Sequence, residues 1–158
     1  KFGFNEVLKN DDQFFTDAQK IMEDLKIDYT LFFNKLETLK EDTDLKSHFD
    51  NIFYNNLTDK QFSAFEKFTE SYFERLKLNT ISETESKQLM QQNNPKFVLR
   101  NYLLFECNNE INDGKRDLLN KLLTALENPY TDIYPEFSQK RPPIYDGQTG
   151  SSTLSCSS

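Results

Sequence analysis

Residues 58–76 read TDKQFSAFEKFTESYFERL. Thr58 and Gln61 stand at the spacing of a capping box, in which each side chain satisfies the other's backbone N–H at a helix start. Phe62, Phe65, Phe68, Tyr72, Phe73 and Leu76 then recur every three or four residues, the stripe of an amphipathic helix. The same period extends towards both ends of the chain. Upstream, Phe14, Phe15, Ala18, Ile21, Met22 and Leu25 line a helix that Asp11 or Asp12 would cap, and Asp28 precedes a second stripe of Tyr29, Phe32, Phe33, Leu36 and Leu39. These two read as a helical hairpin, and Leu45, Phe49, Ile52 and Phe53 suggest a shorter helix closed by Asn55-Asn56.

Downstream, Ser82 and Glu85 form a second box-like start for a weakly apolar helix through Leu89 and Met90. Asn94-Pro95 is expected to stop that helix and to open the next, with Pro95 at the first helical position and Leu99 and Leu103 four apart on its buried face. Asn112-Asp113-Gly114 is a terminator, Leu118, Leu119, Leu122, Leu123 and Leu126 make the last stripe, and Asn128-Pro129 ends it. The expectation is an all-α array of about six or seven amphipathic helices. Residues 1–128 form the helical domain and 129–158 an irregular, extended tail rich in Pro, Gly and Ser that ends in Ser-Cys-Ser-Ser. The tail holds four of the five prolines, and Tyr130, Ile133, Tyr134, Phe137, Ile144 and Tyr145 could anchor it along a helical surface.

Composition agrees with the period. Across 158 residues, 19 Leu and 15 Phe stand against 7 Ile, 2 Val and 4 Gly, so the strand-and-turn make-up of a sandwich or barrel is missing. A formal charge of −7 repels phosphate backbones and acidic lipid, which argues against nucleic acid and membrane surfaces as partners. One histidine, His48, and two distant cysteines, Cys107 and Cys156, cannot assemble a Cys/His zinc site. The acidic groups Asp11-Asp12, Glu41-Asp42 with Asp44, and Glu83 with Glu85 fall at helix starts and in loops, where they favour the helix dipole better than they suit acid–base chemistry. No phosphate-cradling glycine loop is present. Cys107 lies beside Leu103, Leu104 and Ile111 and reads as a buried, inert thiol. Cys156, near the end of the tail, reads as an accessible one and is the candidate redox residue. The opening Lys1-Phe2-Gly3-Phe4, with neither an initiator Met nor a signal-type stretch, suggests a piece of something longer.

Several blocks carry a resemblance. Asn94-Pro95-Lys96-Phe97-Val98-Leu99-Arg100-Asn101-Tyr102-Leu103, Asn128-Pro129-Tyr130, Arg141-Pro142-Pro143 and the terminal Ser155-Cys156-Ser157-Ser158, in this order, resemble the carboxyl end of the selenoprotein O family, also called YdiU or UPF0061. Asp28-Tyr29-Thr30 with Phe32-Phe33 resembles an earlier family segment. The chain departs from the family after Arg-Pro-Pro, where Ile144-Tyr145 stands in place of an acidic residue and Trp. The resemblance implies a parent with a kinase-like (pseudokinase) fold that transfers AMP from ATP to protein hydroxyls, with Mg2+ or Mn2+ as metal. The family's catalytic, nucleotide-binding and metal-binding residues belong to that upstream kinase-like domain, the implied partner of this segment, and no stretch here matches their motifs. The implied redox residue is Cys156, where relatives keep cysteine or selenocysteine. Implied location is mitochondrial for a eukaryotic parent and cytoplasmic for a bacterial one. From the residues alone, two rivals are a free-standing helical interaction module and a hydrolase built on the acidic pairs.

Overall fold

The computed structural model describes residues 1–151, and seven α-helices account for its regular structure. They are α1 (Asp11–Asp24), α2 (Tyr29–Leu36), α3 (Leu45–His48), α4 (Asp59–Leu76), α5 (Glu83–Asn93), α6 (Asn101–Asn112) and α7 (Asp117–Glu127). Single 3-10 turns follow at Pro135–Phe137 and Pro143–Tyr145. The fold is all-α, as the period of the apolar residues requires. Its nearest approach to a strand, among the described residues, is one antiparallel bridge between Ile27 and Phe53. The chain separates into two compact units, Lys1–Asn94 and Pro95–Ser158, so the residues from Pro129 to Ser151 share a unit with α6 and α7.

In the first unit α1 packs on α4 around a core of Phe32, Phe49, Ile52, Phe65 and Tyr72, each at most 1% exposed. The core is dominated by aromatic rings, which meet edge-on or stacked: Phe49 and Phe65 lie 5.1 Å apart at 84°, and Phe14 and Phe68 lie 5.5 Å apart at 26°. Burial pushes the Tyr72 phenol well above its ordinary pKa, and its hydroxyl reaches Met90 Sδ at 3.8 Å. Helix ends follow the expected chemistry at three starts. Thr58 with Gln61 and Ser82 with Glu85 form complete capping boxes, and Asp28 Oδ1 accepts from Leu31 N–H at 3.1 Å. The α1 terminus is a Schellman motif, with Ile27 N–H on the Met22 carbonyl and Lys26 N–H on that of Glu23, and it places Lys26 at φ +52.

Three local expectations are corrected. Asp11 is not a cap: it is the first helical residue, and Asn10 precedes it with no side-chain cap bond. Its carboxylate turns inward, where it accepts from the Arg75 guanidinium. The short helix stops at His48, so Phe49, Ile52 and Phe53 contribute to the core from turns rather than from a helical face. Pro95 opens no helix either. Residues 95–100 run without helical structure, because Lys96 and Phe97 both donate their N–H to the Pro129 carbonyl, at 2.7 and 3.0 Å. That pairing with the Asn128-Pro129 corner holds the segment out of the helix, which starts only at Asn101 with Arg100 as its cap position. Leu103 therefore lies on α6 and is 3% exposed, whereas Leu99 sits on the preceding segment and is half-buried. The second unit's core joins Phe97, Tyr102, Leu103 and Cys107 to Leu122, Ala125 and Phe137.

Candidate functional site

The first ten residues form a strap across the first unit, and polar side chains hold its backbone with four hydrogen bonds at three carbonyls. Asn94 Nδ2 donates to the Lys1 carbonyl at 2.8 Å, Ser86 Oγ and Asn79 Nδ2 to that of Gly3 at 2.7 and 2.8 Å, and Arg75 Nη2 to that of Glu6 at 2.7 Å. Gly3 is required at its place. Its φ is +78, and a Cβ there would lie 2.4 Å from Ser86 Oγ and 3.1 Å from the Ser86 carbonyl. Phe2 and Phe4 anchor the strap from below, Phe2 meeting Phe14 at 5.2 Å and Phe33 at 4.9 Å between ring centres.

A buried ion pair locks the arrangement. Arg75, near the end of α4, donates from Nε to Asp11 Oδ1 at 2.5 Å and from Nη2 to Asp11 Oδ2 at 2.9 Å, while its guanidinium lies 4.2 Å over the Phe4 ring. Asp11 is 2% exposed and Arg75 9%. Asp11 Oδ2 also accepts from Leu8 N–H at 2.9 Å. The bonds from Arg75 hold the Asp11 carboxyl below its ordinary pKa against the opposing effect of burial.

Beside the strap, Phe2, Phe4, Phe15, Met22, Ile27, Tyr29, Phe33 and Tyr54 line an apolar groove of about 930 Å³, rimmed by Lys1, Gln19, Glu23 and Lys26. Phe15 and Tyr29 are 42% and 53% exposed within it. The Lys1 ammonium lies 5.2 Å from the Phe33 ring centre and 5.5 Å from that of Tyr29.

In the second unit the tail is docked by its own aromatics. Tyr145 stacks on Tyr102 at 5.3 Å, and its hydroxyl donates to Glu106 on α6. That bond pushes the Tyr145 pKa up to about 12. Arg141 Nη2 pairs with Asp146 at 2.7 Å. Of the anchors expected in the tail, Tyr134, Phe137 and Tyr145 pack on the core, while Tyr130, Ile133 and Ile144 are 51%, 38% and 81% exposed.

The residues singled out from the sequence are dispersed. Cys107 is buried at 4% exposure on the core side of α6. Cys156 lies outside the described residues. His48 is half-buried with Nε2 2.9 Å from the Lys35 carbonyl. Asp44 accepts from Lys46 and Ser47 N–H, and Glu85 completes the Ser82 box. Among the described residues, no group of three or more His, Cys, Asp or Glu side chains is placed to hold a metal ion. Sequence reasoning missed the Asp11–Arg75 pair and the strap. The one available signal was the apolar pair Phe2 and Phe4 flanking a glycine, too short to register as a period.

Comparison with known proteins places this architecture. A family model described as protein adenylyltransferase SelO matches residues 1–127. The chain belongs to the SelO family. Its relatives include proteins named protein nucleotidyltransferase YdiU. That of Cytophaga hutchinsonii is 34% identical over 163 residues, which cover all of this chain and 31% of the relative. That of Photobacterium profundum is 31% identical over 173 residues and that of Flavobacterium johnsoniae 29% over 166, each match covering all of this chain and 32% of the relative. This SelO-family chain thus spans about a third of the length of the curated relatives it matches. No helix of its described residues is long and apolar enough to cross a membrane.

Proposed function

We propose that this chain is the carboxyl-terminal helical part of a protein adenylyltransferase, whose upstream kinase-like region transfers AMP from ATP to hydroxyl groups of other proteins. The observation that carries the reading is the family match over residues 1–127 together with full-length coverage of this chain by relatives named as nucleotidyltransferases. ATP and its Mg2+ or Mn2+ are assigned to the upstream region, since the chain carries no stretch matching the family's nucleotide and metal motifs. In a bacterial parent this activity belongs in the cytoplasm. The part described here serves that region as a helical support whose ring-filled core and buried ion pair keep its surface fixed.

Cys156 is assigned a regulatory role within the same reading. Its thiol and a second cysteine of the parent join as a disulfide, giving up two protons and two electrons to a low-molecular-weight disulfide, and a dithiol reverses the step. Held on the same chain, the two thiols meet at high effective concentration. The bond restricts the movement of the transferring region, so activity rises on reduction.

The test uses the full-length parent with ATP labelled at the α-phosphate and either divalent metal. Label should appear on hydroxyl side chains of acceptor proteins, and transfer should rise with dithiol in the parent but not in its Cys156→Ser variant. A parent that transfers no label overturns the main reading. One that transfers label with the same reductant response in both forms overturns the cysteine's role alone. A helical interaction module without catalysis is the second reading, favoured by the apolar groove beside the strap, and the same absence of transfer would select it.

A further inference from the structure

We propose that the groove between the strap, α1 and α2 is the seat of the residues that immediately precede Lys1 in the longer protein, which lie along it as an apolar segment. The inference rests on the reading above, in which the remainder of the parent lies upstream.

Three observations point to this occupant. The relatives extend over about three times the length of this chain, so a large share of the parent lies outside it. The strap is held at Lys1, Gly3 and Glu6 by side-chain donors and by the Phe2 and Phe4 rings, so the direction in which a preceding residue would leave Lys1 is set by the fold. Lys1 itself lines the groove, its ammonium 5.2 Å from the Phe33 ring centre and 5.5 Å from that of Tyr29, so a residue attached before it would begin beside these rings.

The lining selects the chemistry. Phe15, Met22, Tyr29 and Phe33 offer rings and a thioether, and about 930 Å³ holds several side chains. Exposed rings gathered in one concave patch are the mark of a surface that is covered in the working protein. Met22 adapts its shape to a neighbour more readily than a branched side chain would. Lys1, Lys26 and Glu23 also line the groove and supply polar groups for the occupant's backbone while its apolar side chains meet the rings. An extended segment advances about 3.3 Å per residue, so a handful of residues is enough to run the length of such a groove.

Cysteine accessibility tests the proposal in three proteins: this chain alone, the chain lengthened upstream by about twenty residues, and the full parent. Gln19→Cys and Met22→Cys report on the groove, and Lys60→Cys, on the exposed start of α4, is the reference. Labelling by a maleimide is read by peptide mass, so that Cys107 and Cys156 are counted separately. Gln19 is exposed on α1, so its variant keeps the test open if Met22→Cys folds poorly. The expected result is labelling of both groove thiols that is slower by on the order of tenfold in the lengthened chain and in the parent, with the reference unchanged. Equal rates in all three proteins, or slowing shared by Lys60→Cys, would overturn the proposal. Slowing in the short chain that grows with its concentration would overturn it too, by assigning the groove to a second copy. Equal rates in a parent that still transfers AMP would sink the groove assignment and leave the adenylyltransferase reading standing.

Discussion

Arg75 and Asp11 are 64 residues apart in sequence, yet they hold the strap, α1 and α4 together through one ion pair. Replacing Arg75 with Met would leave a carboxylate that is 2% exposed without its partner. The expected loss of stability is about 3–5 kcal/mol in denaturant unfolding, the cost of stranding one member of a buried pair. The pH dependence has a definite sign. The folded-state pKa of Asp11 is lowered, so its stabilising contribution is present above the ordinary carboxylate value of 3.8 and is lost as pH falls through the lowered folded value. Unfolding midpoints followed from pH 5 downward should therefore fall more steeply in the unsubstituted chain than in Asp11→Asn. Gly3→Ala should also weaken the strap, by on the order of 1–3 kcal/mol, because alanine is strained at φ +78 and its methyl group meets Ser86. None of this was legible from the residues alone. An aspartate at a helix start reads as a cap, and nothing near Asp11 in sequence announces a guanidinium arriving from the far end of α4.

At the scale of elements, what local chemistry controls was readable and what distant contacts control was not. The boxes at Thr58 and Ser82, the Asp28 cap and the stop at Asn112-Asp113-Gly114 all depend on neighbours within a few residues, and each lies where the spacing put it. Thr58→Ala should accordingly cost about 0.5–2 kcal/mol, read as a lowered denaturant midpoint. The segment from Pro95 to Arg100 shows the opposite case. A proline at a first helical position is good local chemistry, but the Pro129 carbonyl takes the N–H groups of Lys96 and Phe97 and the helix starts six residues later. Leu99 and Leu103 thus part company. Leu103→Ala should cost about 2–5 kcal/mol and Leu99→Ala distinctly less, since the first is 3% exposed on α6 and the second is half-buried outside it. Equal losses would contradict this placement of the helix start.

For the whole molecule, the all-α class followed from the apolar period and from Leu and Phe prevailing over Val and Gly. The groove did not, because its walls come from the strap, α1, α2 and Tyr54, which only the fold brings together. Under the proposed function this chain, with its ring-filled first unit, is a support, and the transfer of AMP is the work of the rest of the longer protein. The measurement closest to that claim is made on the 158-residue chain itself: circular dichroism to establish its helical fold, then calorimetric titration with ATP and Mg2+ beside a transfer assay with ATP labelled at the α-phosphate. The expected result is a folded, helical chain with neither a binding isotherm for ATP nor labelled acceptor. Saturable ATP binding or transfer of label by this chain alone would contradict it.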